Sequence, residues 1–330
     1  MTAGGRERVR AALALEVADH PPVSAWGHFY DREWAVASLA EATIAAARRH
    51  RFDFVKLQIR ASCFAEAFGA AWRYSGSPTE EPVLIRAGGA TVEEWRRIAE
   101  GPSSSVPLSD QVAVLRAVGA ELGPEVPVIQ TVFSPGMVAW FLAGRDTARL
   151  AGLVAAEPEL MAAALDTIAR MLASFTSDSI EAGAAGVFYA VNPLADTTIV
   201  TAEEYRRVYL PADRSVVAAA HQGWFNMLHL CGAHINLELV AELRLSSLNW
   251  AAEEAGNPGL AQARDRFGLA VAGGVGRHSP LRLDAGEMRA AGAAALAETG
   301  RRGHLLTPGC SSSPWSQVRP DVVDALVGAA

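Results

Sequence analysis

The sequence predicts an α/β fold, a single (β/α)8 TIM barrel over residues 1–330 with an inserted hairpin and helix after its second strand. Two observations carry this. Short runs rich in β-branched and aromatic residues alternate along the chain with longer alanine-rich segments of helical period, the pattern of repeated βα units around a parallel sheet. Eight such runs are present, the number at which a parallel sheet closes on itself. A chain of 330 residues, 50% of them hydrophobic, can bury the one large core this requires.

In order, the expected strands are 22–26, 52–58, 126–133, 186–191, 225–231, 245–251, 269–275 and 303–307. The expected helices are 38–51, 158–183, 201–222, 237–243, 260–267, 285–299 and 319–327. Thr201 with Glu204, and Asp284 with Glu287, have the spacing of capping boxes that open a helix after a loop. The rhythm breaks over 63–107. There Tyr74-Ser75-Gly76-Ser77-Pro78 reads as a turn and Val83-Leu84-Ile85 as a short strand, which makes this stretch the insertion. Internal repeats and long charged linkers are absent, so no second domain boundary is expected.

Charge and composition exclude several functions. Acidic residues outnumber basic ones 36 to 29, for a net charge of −7, and without a basic run there is no electrostatic footprint for nucleic acid. No stretch approaches the apolar length of a membrane span, and the first ten residues lack an apolar core of the signal-peptide kind. A soluble cytoplasmic protein without a membrane or nucleic-acid partner is expected, its oligomeric state open, a homodimer included. Three cysteines are too few for a disulfide scaffold, and in a reducing compartment they remain thiols available for metal or chemistry.

In a barrel the active site lies at the C-terminal ends of the strands. The run 225–231 ends in His229-Leu230-Cys231, where the period of two puts His229 and Cys231 on one face. The run 303–307 leads directly into Pro308-Gly309-Cys310, bringing a second cysteine to the mouth. One His and two Cys match the ligand count of a catalytic zinc that keeps a fourth position open, and sulfur favours zinc over magnesium or calcium. Two thiolates cancel the charge of the ion. Such a centre is less suited to acidifying water than to holding an incoming thiol as thiolate, which fits alkyl transfer onto sulfur. The competing reading is that His229, Cys231 and Cys310 are ordinary interior residues, since free cysteine packs as a small hydrophobe.

Beyond these motifs, the chain resembles the uroporphyrinogen decarboxylase superfamily over nearly its full length, in 8–23, 52–57, 127–144, 205–213 and 229–232. The His229-x-Cys231 pair with Cys310 resembles the zinc motif of its methylcobalamin:coenzyme M methyltransferase branch. That resemblance implies a zinc-activated thiol acceptor, and a methyl group supplied by a corrinoid, methylcobalamin or a separate corrinoid protein. Trp26-Gly27-His28-Phe29-Tyr30 has no arginine cluster of the kind the decarboxylase uses on its tetrapyrrole, so that reaction is not expected. The chain carries no D-x-H-x-x-G corrinoid signature, so a corrinoid has to arrive free or on a partner.

Further candidates follow from their positions. Glu253, just beyond 245–251, is a candidate fourth ligand displaced by substrate, or else a solvated loop carboxylate. Lys56, the only lysine, is placed to bind a carboxylate or sulfonate of the substrate. Trp26, Tyr189 and Asn192 are candidates for facing a flat cofactor, with Phe133 and Trp250 as further lining. His28, Gln130, Asp196 and His278 also lie where side chains can reach the mouth. Gly273-Gly274-Val275-Gly276 would bring backbone close to substrate rather than bind a nucleotide, since no P-loop or G-x-G-x-x-G motif accompanies it. The alternatives to a methyltransferase are a zinc-independent lyase or decarboxylase acting on a small carboxylic acid, and a barrel kept as a binding protein.

Overall fold

A computed structural model describes residues 3–330. Its strands are β1 (Val55–Leu57), β2 (Ala71–Arg73), β3 (Val83–Arg86), β4 (Val128–Phe133), β5 (Gly186–Val191), β6 (Met227–Leu230), β7 (Ser247–Trp250), β8 (Ala270–Val275) and β9 (His304–Pro308). Seven of them form one curled parallel sheet in the order β1-β4-β5-β6-β7-β8-β9, a fold of the TIM-barrel kind. β2 and β3 pair antiparallel outside it and are followed by the helix Val92–Glu100.

The expected strand at 22–26 is not a ladder. Val23 makes a single parallel bridge to Leu306, with Ser24 N donating to Leu306 O (3.3 Å) and Leu306 N to Pro22 O (2.9 Å). On its other side Asp53 N donates to Val23 O (3.0 Å). Pro21 and Pro22 have no N–H to extend the pairing, which limits it to this one point.

The expected helix 201–222 is two helices, Ala202–Val208 and Leu210–Ala220. Pro211 cannot donate to the preceding turn and its ring crowds it, so a new helix starts there. Thr201 accepts from Glu204 N and Asp284 from Glu287 N, as the capping pattern requires. The helices Val106–Leu122, Pro135–Leu142 and Thr147–Ala156 lie where no helix was expected. Val106–Leu122 and Pro135–Leu142 carry apolar residues over much of their surface, which blurs the 3.6 period. Among the described residues no helix is long and apolar enough to cross a membrane.

Every residue of the central strands β4 and β5 is buried, and the alternation along each sorts two environments. In β5, Phe188 and Ala190 border a central cavity, while Val187, Tyr189 and Val191 face the helices. Helix Pro158–Glu181 packs on the neighbouring strand β4, and its Leu165, Ile168, Leu172 and Phe175 are each about as buried as the strands.

Candidate metal centre

The cavity within the sheet measures about 530 Å³. Its lining includes the polar side chains of His28, Lys56 and Gln58 and the aromatic rings of Phe133, Trp140 and Phe188. His229, Cys231 and Cys310 line the same space.

His229 reaches it from β6, and Cys231 follows one residue past the strand end on the same face. Cys310 comes from the turn after β9. Gly309 makes that turn possible, because a Cβ there would lie 2.7 Å from Ala251 Cα and from Trp250 O. The three donor atoms lie within 4.8 Å of one another, with His229 Nε2 and Cys231 Sγ each 3.5 Å from Cys310 Sγ. Two donors bound tetrahedrally to zinc at about 2.0–2.3 Å stand roughly 3.5–3.8 Å apart, so the trio fits that ion with little movement. Behind it, His229 Nδ1 is 2.7 Å from Asn249 Oδ1, and the imidazole stacks on Phe188 at 4.9 Å between ring centres. A hydrogen bond from Cys231, with His229 close by, holds the Cys310 thiol well below its ordinary range, while the same pairing and burial push Cys231 well above it.

Lys56 is 4% exposed and its ammonium has no carboxylate partner among the described residues. It donates to Gln58 Oε1 at 2.5 Å and lies 4.6 Å from the Phe188 ring centre and 5.9 Å from that of Trp26. Gln58 Nε2 donates in turn to His28 Nε2 (2.8 Å), and His28 Nδ1 to the buried Glu33 (2.9 Å). Burial pushes the Lys56 pKa down to about 7, against the pull of the Cys310 thiolate.

A sequence model described as uroporphyrinogen decarboxylase matches residues 6–330. The chain belongs to the uroporphyrinogen decarboxylase family. No curated protein sequence matches it. Among solved structures this family member is similar to a methyltransferase from Methanosarcina mazei, at a TM-score of 0.79 and 19% identity, covering 99% of this chain and 98% of that one. It is also similar to a B12-independent methionine synthase from Shewanella sp. W3-18-1, solved in complex with selenomethionine, at a TM-score of 0.55 and 15% identity over 89% and 87% of the two chains. At these identities the likeness is one of fold.

The other candidates divide. Asn192, Asp196, His278, His28 and Phe133 line the cavity. Tyr189 does not: it falls on the helix-facing side of β5, where its hydroxyl donates to Asp213 (2.6 Å). Trp250 is fully buried and donates to Pro258 O, one position out of phase with Asn249. Gln130 likewise alternates away from Thr131 and Phe133. Trp26 is buried behind Lys56 and Phe188 rather than on the cavity wall. For Tyr189, Trp250 and Gln130, proximity to a strand end suggests the cavity, and the two-residue period reverses that placement. Glu253 is exposed in the loop after β7 and is not among the three donors grouped within 4.8 Å. Its carboxylate lies against the Gly276 backbone instead. Gly274 serves packing rather than substrate approach, since a Cβ there would lie 2.7 Å from Ala295 Cβ. Gln58 and Phe188 were missed, although Lys56-x-Gln58 and Phe188-x-Ala190-x-Asn192 carry the alternation that finds them.

Proposed function

We propose that this family member is a zinc-dependent methyltransferase, moving a methyl group from a corrinoid to a zinc-activated thiol. One observation carries the reading: His229, Cys231 and Cys310 present three soft donors at one end of a parallel sheet, facing a cavity of about 530 Å³. Three protein donors with open space beside them are the ligand pattern of a catalytic zinc rather than a closed structural one. Zinc bound there would supply the pull that keeps an incoming thiol ionised at neutral pH.

The rest of the work falls to the chain. Lys56, with no carboxylate partner among the described residues, is placed to hold an anionic group of the acceptor and so to orient its sulfur. Phe133, Trp140 and Phe188 offer an apolar wall to the acceptor's carbon skeleton. A cavity of this size suits a small molecule, which leaves the corrinoid, free or carried by a separate protein, to approach at the mouth beside Asn192. Glu253 enters this reading as a carboxylate that reaches a metal only if its loop moves inward.

The test is direct. Zinc-loaded protein, given methylcobalamin and a panel of small thiols with and without a carboxylate or sulfonate, is expected to demethylate the cobalamin, read as a change in its visible spectrum. Zinc-loaded protein inert across the panel, and inert with methylated corrinoid proteins, would sink the proposal and favour the metal-free decarboxylase reading.

A further inference from the structure

Asn249 is fully buried in β7, a strand that supplies none of the three donors, yet it touches the elements that supply two of them. Its Nδ2 donates to Pro308 O (3.1 Å) and to Ala272 O (3.0 Å), which uses both amide hydrogens. The amide is thereby fixed in orientation, and the atom left facing His229 Nδ1 at 2.7 Å is the oxygen. A carboxamide oxygen only accepts, so the imidazole Nδ1 carries the hydrogen and Nε2 keeps its lone pair, turned toward the Cys310 sulfur. Pro308 is the last residue of β9, two positions before Cys310. One side chain thus sets the tautomer of the first donor and ties down the strand that delivers the third.

A purely packing role accounts for this poorly. Asparagine is disfavoured in strands, and a buried amide costs free energy unless all its hydrogen bonds are made, whereas leucine would fill the same layer without that demand. We infer that Asn249 is the positioning residue of the metal centre, holding His229 as its Nδ1–H tautomer and clamping the Pro308 carbonyl so that Cys310 meets it. The inference rests on the metal reading of the three donors.

The test uses the full chain and zinc alone. Long-range proton–nitrogen NMR on the metal-free protein reads the His229 tautomer, its signals assigned by their loss in His229→Gln. Zinc affinity is read by competition with a chelator. The wild type is expected to show the Nδ1–H tautomer. Asn249→Leu is expected to show a mixture and to bind zinc roughly 10–100-fold more weakly, the usual effect of losing an outer partner of a ligating histidine. Asn249→Asp keeps the acceptor and loses the clamp. It is expected to retain the tautomer and still lose affinity, and it decides the matter if the leucine variant does not fold. An Nε2–H tautomer in the wild type, or wild-type zinc affinity in a folded Asn249 variant, overturns the inference. A wild type that holds the Nδ1–H tautomer but binds no zinc overturns the metal reading instead.

Discussion

Replacing Lys56 by methionine separates the stability of this fold from its function. The ammonium is buried with one neutral acceptor and two aromatic faces, and its pKa falls from an ordinary 10.5 to about 7. At about 1.4 kcal/mol per pH unit, keeping it charged costs the folded state on the order of 5 kcal/mol. The unfolded chain holds the proton up to about pH 10.5 and the folded chain only to about 7, so between these values the unfolded state binds more protons. Stability therefore rises with pH across that window, and the cost is felt in full below it. Lys56→Met removes the cost while giving up about 1 kcal/mol each for the Gln58 hydrogen bond and the aromatic contacts. The variant is expected to be roughly 2–4 kcal/mol more stable than wild type at pH 7, the difference fading by about pH 10. Function moves the other way: losing a charged hydrogen bond of about 1.5–3 kcal/mol raises KM for an anionic thiol by roughly 10–100-fold, with little change for a neutral one. Denaturant unfolding at several pH values, with steady-state assays on paired thiols, measures both. A variant no more stable than wild type at pH 7, or a KM that rises equally for neutral thiols, would refute the reasoning.

Metal analysis of purified protein is expected to give about one zinc per chain, most of it lost in both Cys231→Ala and Cys310→Ala, since two ligands make a weak site. Tyr189→Phe leaves buried Asp213 with the Tyr205 hydroxyl as its remaining donor, which costs about 1–3 kcal/mol in thermal or chemical unfolding. Zinc content and methyl transfer are expected to stay unchanged in that variant, because the ring faces the helices. Gly309→Ala forces the turn off Ala251 and Trp250 and is expected to weaken zinc binding by roughly ten-fold or more, read by chelator competition.

What the sequence carried was periodicity and chemistry. Strands at 186–191 and 270–275 were legible because short runs of small, branched or aromatic residues sit between helical segments. The donors His229, Cys231 and Cys310 were legible because a strand end is a position that sequence can locate. Which face a residue takes needs the phase of the strand. Tyr189 and Trp250 lie near strand ends, which alone suggests the cavity, and a one-residue offset turns both away from it. Asn249 carries no motif or spacing that marks it in the sequence. Its contacts to Ala272 and Pro308 depend on strand neighbours far along the chain, and local pattern does not encode them.

The meeting of Val23 with Leu306 also has a bearing on biosynthesis. Val23 stands there between the last strand and Asp53 just ahead of the first, and His28 N donates to Ser313 Oγ across 285 positions. Cys310 belongs to the same late segment, 79 residues after Cys231. At a translation rate of about 5–20 residues per second, His229 and Cys231 precede their third partner by roughly 4–16 s. For that interval the nascent chain holds only two of the three candidate donors, with the cavity wall still open. On the metal reading, insertion is a late event that follows arrival of the final strand, and an ion bound there would join β6 to the segment made last.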